Sequence, residues 1–112
     1  MQITADKTGG TTIISLAGRL DTRTTPDFLR YMAGRDPEPL ILDLAGLEYL
    51  SSTGLRALLQ LRRDYAKQAL PVVIAGSGGL VDKVLRMSGF EQVFTLYPAV
   101  PDALRAVAGM EA

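Results

Sequence analysis

Leu40-Ile41-Leu42-Asp43-Leu44, then Leu50-Ser51-Ser52-Thr53-Gly54-Leu55-Arg56-Ala57-Leu58-Leu59, is the stretch that decides the fold. The first run is apolar, short and bounded by turn residues, the pattern of a strand buried on both faces of a parallel sheet. From about Ser52 to Gln68 the period changes. Leu55, Leu58, Leu59 and Ala66 fall on one side with Tyr65 on its flank, and Arg56, Gln60, Arg63 and Lys67 fall on the other. That is the 3.6-residue period of an amphipathic helix. Arg62 is out of place among the apolar positions, and snorkelling toward the helix end accounts for it.

Working outward, the same alternation continues. Gln2 to Asp6 is a short strand, Gly9-Gly10 is a turn that accepts positive φ, and Thr12 to Ala17 is β-branched and apolar, so the chain opens with a hairpin. Gly18-Arg19-Leu20-Asp21 ends the second strand. Thr25 as N-cap and Pro26 at the first helical position start a short helix with Phe28, Leu29 and Met32 on its apolar face and Gly34 at its close. Pro71 to Ala75 reads as a second buried strand and Gly76 to Gly79 as a loop. Leu80 to Ser88 reads as a helix with Val81, Val84, Leu85 and Ser88 inward. Val93 to Tyr97 reads as a last strand, and Pro101 to Ala108 as a last helix facing inward with Leu104, Val107 and Ala108. The expected fold is α/β, one domain over residues 1–112, with a mixed, mostly parallel sheet of about four or five strands, about four helices and right-handed crossovers.

Composition narrows the function. Twelve basic residues balance twelve acidic ones, so neither nucleic-acid binding nor a polybasic membrane contact is expected. Cysteine and histidine are absent. That removes thiol nucleophiles, thiolate metal sites and the commonest general base and metal ligand. An enzyme is therefore not expected, nor a cofactor or metal. The N-terminus lacks a signal-peptide pattern and no apolar run approaches a membrane span, so the expected location is cytoplasmic, without membrane insertion.

Three groups of residues could carry chemistry. Ser51-Ser52-Thr53-Gly54 follows a central strand and opens the longest helix, at the sheet edge where open α/β folds bind ligands. A helix start presents free N–H groups and partial positive charge, which favour an anion. A phosphoryl group on Ser52 would bring about −1.5 to −2 charges to a chain with none in excess. The simpler role for Ser52 is to cap the helix. No Glu or Gln stands three residues on to form a capping box. Gly76-Ser77-Gly78-Gly79 could cradle phosphate, but no Lys-Ser or Lys-Thr follows and the spacing fits no dinucleotide fingerprint, so it reads as a turn. Asp21, Asp43 and Glu48 lack a characteristic spacing and read as solvated or capping carboxylates. Asp21 could line the same edge as Ser52.

These motifs, in this order, resemble the STAS domain, and within it the bacterial anti-sigma factor antagonists. Gly18-Arg19-Leu20-Asp21 is similar to the family's Gly-x-Leu/Ile-Asp. The run from Leu42 to Leu55 is similar to its strand, loop and Asp-Ser-Ser/Thr-Gly-Leu phosphorylation motif. Leu85-Arg86-Met87-Ser88-Gly89-Phe90 is similar to its late helix ending in Ser-Gly-Leu. The resemblance implies a partner-switching regulator of a sigma factor. It would bind an anti-sigma factor of the serine-kinase type when unphosphorylated, be released on phosphorylation of Ser52, and be reset by a serine phosphatase. The implied partner surface is Asp21, Thr24, Ser51, Ser52, Thr53, Gly54 and Arg56. Ser51 stands where the family has Asp, which leaves Ser51 and Thr53 as alternative phosphosites. It also leaves open a non-phosphorylated scaffold subunit of a lipid-transport ABC complex or signalling assembly.

Overall fold

The computed structural model describes residues 1–111, the last of them by its backbone alone. The chain runs β1 (Gln2–Thr8), β2 (Thr11–Leu20), α1 (Thr25–Ala33), β3 (Leu40–Leu50), α2 (Ser52–Ala66), β4 (Val72–Ala75), α3 (Gly79–Met87), a 3-10 turn (Phe90–Gln92), β5 (Leu96–Tyr97) and α4 (Val100–Glu111). The five strands lie in sequence order, β1 antiparallel to β2 and every later pair parallel. This is the mixed sheet that the alternating pattern predicts. The hairpin turns at Gly9-Gly10, with Gly9 at a φ of 60°.

Strand alternation sends successive side chains to opposite faces. Ile14, Leu16, Leu42 and Ile74 pack under α1, α2 and α3 together with Phe28, Leu58 and Leu85. On the opposite side, Ile13, Ile41 and Val73 meet Ala103 and Val107 of α4. Burying each of these large side chains favours folding by about 1.5–3 kcal/mol.

Four local readings are corrected. First, β3 extends to Leu50 rather than stopping near Leu44. β4 pairs only with Leu40–Asp43, but β2 accompanies β3 onward through two register shifts. Gly46 permits this, because a Cβ there would lie 3.0 Å from the Ala17 Cβ. Second, Thr24 rather than Thr25 occupies the N-cap position of α1, and Thr25 is buried within the first turn. Third, the last strand is shortened at its start. Phe90–Gln92 coil into the 3-10 turn, and Phe94 leaves the strand for the core, stacking on Phe90 at 5.7 Å between ring centroids.

Fourth, the inner faces of the helices are turned from those the sequence suggests. α2 buries Gly54, Ala57, Leu58, Leu61 and Tyr65, a clean i, i+3, i+4, i+7, i+11 series. Leu55 and Leu59 are half-buried and Ala66 is exposed. The rotation follows from Gly54, which seats the helix start deep against β2. Arg62 holds its guanidinium 5.9 Å from the centre of the Phe94 ring, an aromatic contact rather than an excursion to solvent. In α1, Leu29 is exposed; in α3, Val84 is half-buried and Ser88 exposed; in α4, Ala103 joins Val107 in the core, while Leu104 is half-buried and Ala108 exposed.

Candidate functional site

The site is assembled where β2 and β3 end side by side. Leu20, the last residue of β2, is fully buried, and its carbonyl accepts from the Ser51 N–H at 3.0 Å. That bond ties the end of β3 to the end of β2 one residue before α2 begins. Gly54 then completes the clamp. A Cβ at position 54 would stand 2.8 Å from the Leu20 carbonyl oxygen and 2.8 Å from the Leu50 Cδ1. Only a residue without a side chain lets the first turn of α2 close on the strand ends.

Against this fixed frame the three hydroxyls separate. Ser51 is the N-cap: its backbone is extended, and its Oγ accepts from the Gly54 N–H at 3.1 Å. Such a cap is worth about 1 kcal/mol over alanine. Thr53 is half-buried, with its hydroxyl 3.2 Å from that of Thr22. Ser52, the first residue of the helix, is exposed, and its hydroxyl makes no hydrogen bond among the described residues. The cap role that composition offered to Ser52 thus falls to Ser51.

The turn after β2 forms the other wall. The Asp21 Oδ1 accepts from the N–H groups of Arg23 at 3.0 Å and Thr24 at 3.1 Å. The Thr24 hydroxyl accepts from the Asp21 N–H at 3.0 Å and donates to the Arg19 carbonyl at 2.7 Å. The Thr24 N–H is the main cause holding the Asp21 carboxyl below its ordinary value. The Arg23 N–H, the Thr24 hydroxyl and the Arg19 guanidinium add to it, against partial desolvation. Arg19 lies 4.1 Å over the Tyr49 ring. An open hollow of about 530 Å³ follows this turn, lined by Gly18, Arg19, Asp21, Thr24, Asp27 and Glu48.

Of the residues the sequence singles out, Asp21, Thr24, Ser51 and Thr53 meet around Leu20 and Thr22, while Ser52 and Arg56 project from the exposed face of α2. Gly54 is buried, so it shapes the site without presenting a contact surface. Asp43 is elsewhere, accepting from Ser15 and from the Ala45 N–H. Among the described residues no cluster of carboxylates could hold a metal ion. In the glycine loop the Ser77 hydroxyl donates to Asp82 at 2.8 Å, placing a carboxylate where a phosphate cradle would need a donor. Leu20, Thr22 and Tyr49 were not legible as site residues, since their roles depend on partners about thirty positions away. Among the described residues no helix is long and apolar enough to cross a membrane.

The chain belongs to the STAS domain family, whose model matches residues 2–103. Among curated relatives, the anti-sigma-F factor antagonist RsfB of Mycobacterium tuberculosis is 24% identical over 110 residues, covering 96% of this chain and 89% of that protein. The putative anti-sigma factor antagonist BtrV of Bordetella bronchiseptica is 28% identical over 97 residues, 84% of each. The crystal structure of an anti-sigma factor antagonist from Mycobacterium paratuberculosis superposes with a TM-score of 0.85 at 26% identity, covering 96% of this chain and 93% of that one.

Proposed function

We propose that this chain is an anti-sigma factor antagonist, a single cytoplasmic STAS domain that acts by binding rather than by catalysis. Unphosphorylated, it holds an anti-sigma factor of the serine-kinase type. Phosphorylated on Ser52, it is released, and a serine phosphatase resets it. The observation that carries the reading is the sorting of the three hydroxyls. Ser51 is spent on the helix cap and Thr53 on Thr22, whereas Ser52 faces solvent with its hydroxyl free.

The chemistry asked of Ser52 is small. Its hydroxyl oxygen attacks the γ-phosphorus of ATP in the kinase, the bond to the ADP oxygen breaks, and the proton passes to a base of the kinase. The rigid frame around Leu20 gives the added charge no room to rearrange the helix start. Release then follows from charge placed at the docking surface, where like charges facing each other cost several kcal/mol. Incubation with the cognate kinase and ATP, followed by mapping of the phosphate, tests this. One phosphate on Ser52, lost in Ser52→Ala, is expected. Undiminished uptake by Ser52→Ala would refute the assignment.

A further inference from the structure

The four helices share a charge pattern with one gap. In α1, first-turn Asp27 pairs with Arg30 at 3.0 Å; in α3, first-turn Asp82 pairs with Arg86 at 2.9 Å; in α4, first-turn Asp102 pairs with Arg105 at 2.6 Å. Each places an acid near the positive end of its helix and an arginine one turn on, the favoured orientation for such a pair. α2 has the arginine but not the acid: its first turn holds no acidic residue, and Arg56 stands four positions after Ser52.

Arg56 is also uncommitted. It is exposed and forms no ion pair among the described residues. Its helical neighbours at three and four positions are Ser52, Thr53, Leu59 and Gln60, none of them an acid. Gln60 is itself engaged, donating to Asp64 at 2.8 Å. The spacing from Ser52 to Arg56 equals that from Asp82 to Arg86. At that spacing the two side chains leave the helix on one face, with Cβ atoms about 5–6 Å apart.

We propose that Arg56 is the internal counter-ion of phosphorylated Ser52, so that phosphorylation completes in α2 the acid–arginine pair the other helices already carry. This deepens the phosphosite reading and rests on it. The guanidinium is planar and carries a fork of donors suited to phosphate oxygens, so the pair forms without backbone movement. Its consequence is a switch with two parts. Phosphorylation adds negative charge to the docking surface, and in the same event withdraws the arginine that was free to meet an acidic group of the partner. Arg56 is thus a positioning residue for the phosphate and, in the unphosphorylated chain, a contact for the partner.

The test installs phosphoserine at position 52 during translation of the full chain, so it needs no kinase. Its outcome is independent of whether the kinase selects Ser52. Phosphorus NMR then follows the second ionisation of the phosphate in the parent chain, in Arg56→Gln and in Arg56→Lys. A nearby cation favours the dianion, so the parent should titrate at lower pH than Arg56→Gln by about 0.3–0.5 of a pH unit. Arg56→Lys should recover part of that difference, and molar salt should collapse it. Coincident titrations of the parent and Arg56→Gln at low salt would overturn the proposal. Failure of the kinase to modify Ser52 in a separate assay would instead refute the phosphosite reading and leave the measured pairing standing.

Discussion

α2 and α3 begin alike and are built differently. Both follow a parallel strand, and both set a polar residue in the first turn four positions ahead of an arginine. In α3 that residue is Asp82, which pairs with Arg86 at 2.9 Å. In α2 it is Ser52, and no pair exists until something adds charge. The entries differ too. Ser51 caps α2 with its side chain, and Gly54 clamps it to Leu20. α3 has Gly78 at its N-cap position, with no side-chain cap and nothing within 4 Å of where a Cβ would stand. Both helices bury their inner faces, so the contrast lies at the helix starts: α2 begins capped and clamped to a strand end, and α3 begins with open space around its glycine N-cap.

The largest effect is expected at the clamp. Gly54→Ala drives a methyl group into the Leu20 carbonyl and should cost about 1–3 kcal/mol of unfolding free energy. Gly78→Ala, which meets open space, should stay within about 0.5 kcal/mol. Chemical denaturation of the two variants decides this, and equal losses would remove the distinction between the helix starts. Next, Ser52→Asp gives α2 the kind of pair that α3 already has. It should leave stability unchanged or raise it by a few tenths of a kcal/mol. It should also weaken binding to the anti-sigma factor by about tenfold, or about 1.4 kcal/mol. Calorimetric titration with the partner measures both the loss and its salt dependence.

Ser51→Ala should cost about 1 kcal/mol through loss of the cap, and Ser52→Ala no more than about half of that, which thermal melts can separate. The smallest effect concerns pH. The hydrogen bond from Arg86 is the main cause holding the Asp82 carboxyl below its ordinary value, with Ser77 adding to it. A depressed carboxyl stabilises the fold above its unfolded pKa, and that contribution is lost as pH falls through the folded value. Arg86→Gln should therefore move the Asp82 midpoint upward and make α3 respond to acid at higher pH, as residue-resolved NMR would show. The first turn of α2, which has no acid, should not respond directly over the same range.

How far these features could be read from sequence depends on the range of the contacts that set them. The Gly9-Gly10 hairpin, the apolar strands Leu40–Leu44 and Pro71–Ala75, and the periodic helix from Ser52 onward are local signals, and they were enough to read a mixed, mostly parallel sheet opened by a hairpin. The far half of β3 was not legible, because Ala45-Gly46 reads as a turn until Ala17 lies against it. Phe94 looked like a strand residue because nothing local announces its stacking on Phe90. The same limit holds at the site. The hydroxyl triplet could be read as a candidate from its place before a periodic helix. Its sorting could not, since Thr53 is occupied by Thr22 and the helix start is held by Leu20, both about thirty residues earlier.

The bond from Ser51 to the Leu20 carbonyl has a further consequence on the proposed reading. A helix start fixed in this way lets a mark be written on Ser52 and erased while the backbone stays as it is, with the Arg56 side chain alone answering it. Marked and unmarked copies would share one shape and differ only as two values of a single bit. The message would then reside in the population, in the ratio of the two kinds of copy, and a partner would read it by counting which copies it can hold.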